Sequence, residues 1–158
     1  MGLLTTLERF LSPATYKKKE QRVELKEIVC KNKGDDYLDR YRTAVVGTEY
    51  TNMDGSSRQD PLKKLKEGDR VALLWAPGKA EKKDIVYTVK RGLTGEIAIS
   101  DCFGRLNDKA AAGVIRALQQ DNVTTSARVA KITGGTRKKP RLGCVLEMTT
   151  YAGPPQKS

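Results

Sequence analysis

The chain has 158 residues, 30 Lys+Arg, 19 Asp+Glu, no His and a formal net charge of +11. Without His there is no Ser-His-Asp or Cys-His catalysis and no His-ligated zinc or haem, and about 150 residues can bury a core without disulfide staples. Three cysteines, Cys30, Cys102 and Cys144, are odd in number, far apart and without a CxxC pair, which excludes a four-Cys zinc site and a disulfide framework and suits a reducing, cytoplasmic setting.

Leu3, Leu4, Leu7, Phe10 and Leu11 recur at helical spacing, so residues 2–11 read as a short amphipathic helix. The same stretch lacks a basic region and does not read as a secretory signal. Gly2 with Thr6 formally fits a myristoylation pattern, but the motif is too short to carry weight. No run of about 18 apolar residues occurs, so no membrane span is expected. Ser12-Pro13 ends the first segment and can cap a second. Residues 14–32 are lysine-rich and fit either a helix or an extended arm. Glu20, Glu24 and Glu27 would place like charges on one helix face, which weakens the helix. Gly34-Asp35-Asp36 is a break, and the domain boundary is expected there.

Beyond the break the pattern turns to β. Residues 37–50 alternate and are rich in β-branched and aromatic types. Residues 52–57 are a loop, and Asp60-Pro61 opens a helix of one turn at most. Arg70 to Trp75 reads as a buried strand, 79–83 as a charged loop, 84–90 as an alternating strand and 94–100 as a further strand. Residues 107–120 are the best helix, capped by Asn107 or Asp108, with Ala111, Val114, Ile115 and Leu118 on one apolar face. Residues 123–133 and 142–151 are two long strands joined by a basic hairpin tip, and Pro154-Pro155 begins a frayed tail. The expected organisation is an N-terminal helical and basic extension over 1–36, a β-domain over 37–151 and a disordered tail over 152–158. The fold class is mainly β with one inserted helix. A small OB-like antiparallel β-barrel satisfies this order, and such barrels bind single strands through a sheet face and its loops.

The order of segments resembles a HIRAN domain over residues 41–151. The similar stretches are Ala44 to Tyr50, Leu65 to Leu73, Asp84 to Val89 and Gly95 to Ile99, followed by the helix Ala110 to Leu118 and the closing strands. The resemblance implies DNA binding, capture of a 3′ strand end in the best understood type, and work beside a helicase in repair or replication. It places Tyr50 where an aromatic helps to stack a base. The family's Asn-Pro-Tyr-Asp element is replaced here by Pro77 through Asp84, with Asp84 at the place of the family's Asp, and Glu49 stands where a basic residue is usual. General strand binding is therefore expected over end-specific capture.

The charge is localised. Residues 122–146 hold Arg128, Lys131, Arg137, Lys138, Lys139 and Arg141 and no acid, a net +6 of the chain's +11. Clustered cations are the footprint of a polyanion site, because phosphate contacts release counterions; solubility alone is the plainer alternative. Lys82, Lys83 and Arg91 flank the 84–90 strand and join the candidate nucleic-acid-binding set with Tyr50 and Asp84. Trp75 reads as core. Gly134-Gly135-Thr136 lacks the phosphate-loop pattern. Asp35, Asp36 and Asp39 do not follow a calcium-loop spacing, and Cys102 has no His to activate it. No catalytic residue, metal or cofactor is expected. The expected function is a non-enzymatic nucleic-acid-binding module without membrane association, with DNA favoured over RNA. The competing expectation is a protein-interaction adaptor that uses the 2–11 helix.

Overall fold

The computed structural model describes residues 25–32, 34–78 and 83–152. The helix expected over 2–11, residues 12–24 of the segment after it and Lys82 lie outside the described residues, as does the tail from 153 onward.

Among the described residues seven strands run in chain order: β1 Lys26–Glu27, β2 Asp39–Val46, β3 Arg70–Ala76, β4 Ile85–Lys90, β5 Cys102–Leu106, β6 Val123–Gly134 and β7 Leu142–Ala152. Among the same residues two α-helices intervene, α1 Gln59–Lys64 and α2 Asp108–Gln120. Every pairing is antiparallel, in the order β1-β3-β4-β5-β2-β7-β6. A further pairing, Arg70 opposite Arg128 and Val71 opposite Ala127, joins β3 to β6 and closes six strands into a ring. The expected mainly-β architecture is found, with α2 as its one long inserted helix. Among the described residues no helix is long and apolar enough to cross a membrane.

β3 shows why an unbroken apolar run is needed. Val71 and Leu73 join the main core, while Ala72, Leu74 and Ala76 on the opposite face join a second cluster with Leu25, Val89, Ile97 and Cys102. A strand buried on both faces cannot alternate with polar residues. The main core is centred on Phe103, Leu106, Leu146 and Met148, all fully buried, and α2 closes it with Ala111, Val114 and Ile115. Asn107 caps α2, its side-chain oxygen accepting from the Ala110 amide at 2.8 Å.

Two expectations are corrected. The strand expected over 94–100 is not formed. The Gly92 amide donates to the Glu96 carbonyl at 2.9 Å, and the Glu96 carboxylate accepts from the Thr94 amide at 3.0 Å and hydroxyl at 2.6 Å, making a turn. A short 3-10 turn, Ile99–Asp101, follows, and the strand is β5 instead. Gly104 lowers the strand propensity of that run, yet a Cβ there would press on the Val45 side chain and lie 2.8 Å from the Val46 carbonyl oxygen. The close approach of β2 therefore requires the glycine. Second, the stretch before the expected 34–36 boundary contributes to the sheet. β1 pairs with β3, Lys26 opposite Trp75 and Glu27 opposite Leu74, and Leu25 and Ile28 are buried. Within residues 25–32, Lys26–Glu27 is strand and none is helical.

Candidate nucleic-acid interface

β6 and β7 present opposite faces to core and solvent. Ala127, Val129, Leu146 and Met148 are buried in the main core, so Arg128 and Glu147 between them face outward. Register extends this row across four strands: Arg70 of β3 lies opposite Arg128 of β6, Arg128 opposite Glu147 of β7, and Glu147 opposite Arg42 of β2. The next row pairs Ser126 with Thr149, and Thr149 with Arg40. On the other side, past a bulge between Val129 and Lys131, Lys131 lies opposite Val145, and Val145 opposite Ala44. Arg40, Arg42, Arg70, Arg128 and Lys131 are exposed along this face, and Glu147 is the one acid in these rows. The Glu147 carboxylate sits 3.8 Å from the Arg40 guanidinium.

The face runs into the hairpin tip. There the Thr136 amide donates to the Lys139 carbonyl at 3.0 Å, and the Lys139 amide to the Thr136 hydroxyl at 3.1 Å. Arg137, Lys138, Lys139 and Arg141 are exposed around this turn. Lys138, Lys139 and Arg141 line a groove of about 500 Å³ that also includes Ala44 and Val145, the small outward residues of the Lys131 row. The structure thus brings Arg128, Lys131 and the tip onto one continuous surface. α1 anchors the tip's base: the Gln59 side chain accepts from the Leu142 amide at 2.8 Å and donates to the Leu142 and Thr48 carbonyls at 3.0 and 3.1 Å.

Of the remaining candidates, Lys83, Asp84 and Arg91 are engaged otherwise. Lys83 pairs with Asp108 at 2.9 Å, and this bond, with the Lys83 charge, holds the exposed Asp108 carboxyl below its usual range. Asp84 accepts from the Gly78 amide and closes the base of the 78–84 loop. Arg91 pairs with Glu27 and donates to the Gly95 carbonyl at 3.0 Å, tying β1 to a turn; burial lowers its pKa. Tyr50, 60% exposed, follows β2 in a turn beside Gly47. Its neighbour there is Arg58, which donates to the Gly47 carbonyl at 2.9 Å and to the Asn52 side chain at 3.0 Å and lies 5.9 Å from the Tyr87 ring centre. Among the described residues, no group of three or more His, Cys, Asp or Glu is placed to hold a metal.

Arg40, Arg42 and Arg70 are absent from the sequence-derived set. Arg40 and Arg42, two apart in a strand, were legible as sharing a face; their meeting with Arg70 and Arg128 depends on ring closure. No model of a known protein family, no curated protein and no solved structure matches the chain. The HIRAN resemblance rests on its short ordered segments alone.

Proposed function

We propose that the protein is a non-enzymatic nucleic-acid-binding module for single-stranded or end-bearing DNA, working with a DNA-processing protein such as a helicase. The observation that carries this reading is the outward β3–β6–β7–β2 face, where five basic side chains meet one acid and continue into a tip with four more. Such a surface tracks a phosphate backbone, and its affinity comes from counterion release. The HIRAN resemblance adds the preference for DNA. Tyr50 offers an exposed ring for a base, where stacking is worth about 1–3 kcal/mol.

The test is fluorescence anisotropy with labelled single strands, duplex and RNA across a salt series. Arg137→Glu/Lys138→Glu/Lys139→Glu should weaken single-strand binding and flatten the slope of log K against log salt by about 2, since each lost contact removes roughly 0.7. An unchanged affinity and slope would remove the tip from the interface. Absence of binding to every oligonucleotide would reduce the charge to a solubility feature.

A further inference from the structure

The basic face is open toward the hairpin tip and closed at its other end. Residues 27–32 cross it there as a strap, with Gly34 and Asp35 beyond it at the same end. The Ile28 backbone amide donates to the Leu73 carbonyl at 2.9 Å, the Thr124 hydroxyl to the Cys30 sulfur at 3.3 Å, the Asn32 side-chain amide to the Ala152 carbonyl at 3.1 Å, and the Tyr151 hydroxyl to the Gly34 carbonyl at 3.2 Å. Thr124, Thr149 and Tyr151, outward residues of β6 and β7, are buried as a result. Between strap and sheet lies a cleft of about 310 Å³, lined by Arg70, Arg128, Ser126 and Thr149 among others. That size is at the lower edge of small-molecule sites, about 300–1,000 Å³.

Two arginines directly opposite each other in a ladder are unfavourable unless something offsets them. Arg70 and Arg128 are such a pair. Among the described residues neither forms an ion pair, whereas the other basic groups of the cleft are engaged, Arg91 with Glu27 and Arg40 with Glu147. Asp35 also lines the cleft and is exposed. Two guanidinium forks can together contact three terminal oxygens of one phosphate, which a phosphomonoester has and a backbone diester lacks. A strand lying along the face from the tip is stopped by the strap after about 23 Å, the span of β6 from Thr133 to Ser126 at 3.3 Å per residue.

We infer that Arg70 and Arg128, in the cleft under the 27–32 strap, bind a phosphomonoester at the end of a nucleic-acid strand. This rests on the nucleic-acid reading above. The experiment compares short single strands that differ only in one end group: 5′-phosphate against 5′-hydroxyl, and 3′-phosphate against 3′-hydroxyl, each labelled at the opposite end. One phosphorylated end should bind about tenfold or more tighter than its hydroxyl counterpart, as expected for charge-assisted hydrogen bonds. In Arg70→Gln/Arg128→Gln that ratio should fall to near one, and in the tip variant it should persist while both affinities drop. Melting curves should show the Gln variants folded, since a like-charge pair is being removed; the single Arg70→Gln variant gives the same ratio test. Equal binding of both end groups by the wild-type chain would overturn the pocket and leave backbone binding standing. A ratio that survives Arg70→Gln/Arg128→Gln would overturn this location. Failure of every strand to bind would overturn both readings.

Discussion

Cys144 and Cys102 are each 2% exposed. Burial pushes the Cys144 thiol from its ordinary 9.0 up to about 12, and burial also raises that of Cys102. The unfolded chain releases these protons first, so above pH 9.0 the unfolded state binds fewer protons than the folded one. Stability linked to Cys144 is fully present below that value and is lost as pH rises toward about 12. Unfolding by urea at about pH 8 and about pH 10 should show a smaller alkaline loss for Cys144→Ala than for the wild-type chain. Equal losses would place the thiol in contact with water. That Cys102 has no His to activate it was readable from composition. Its depth inside the fold was not, because a buried and an exposed cysteine look alike in a strand pattern.

At the scale of elements, local signals worked where local forces dominate. Asn107 with the alanine run marks α2, and alternation marks β2, β4, β6 and β7. The failure at 94–100 has a physical cause. Ile97 and Ile99 imitate strand alternation, but the Thr94–Glu96 hydrogen bonds close a turn and Ile97 alone is buried there, at 5% exposure. The glycine that disguises β5 is the residue that lets β2 approach it. The Gln59 anchor makes a further prediction. Gln59→Leu keeps the size of the side chain and leaves the Leu142 amide and carbonyl without these partners. Loss of stability should be about 1–3 kcal/mol, with faster hydrogen exchange at Leu142 than at Leu146. Unaltered exchange at Leu142 would show that the hairpin base holds without α1.

For the whole molecule, the ring is closed by a two-residue pairing between segments far apart in the chain. β6 leaves the β3 edge after Val71, and β1 takes up the same edge at Leu74 and Trp75. The 25–32 stretch therefore completes the sheet and covers the second core cluster through Leu25. A chain beginning at residue 37 should be less stable than one beginning at residue 24 by at least about 4 kcal/mol, the combined loss of the buried Leu25 and Ile28 side chains. Equal stability in denaturant would restore the boundary at 34–36.

The sequence by itself determined the fold class, the helix with its cap, the closing hairpin and the concentration of charge in 122–146. These follow from periodicity, capping chemistry and composition, which act over a few residues. The tertiary structure alone decided that 27–32 is a strap, that β5 is the strand after the turn, and that Arg40, Arg42 and Arg70 join Arg128 on one face. Each of those depends on which distant strand edge is left free and which face it turns to water. Hydrogen bonds and burial across a closed ring are shared between segments that carry no local mark of each other, so no window along the chain contains them.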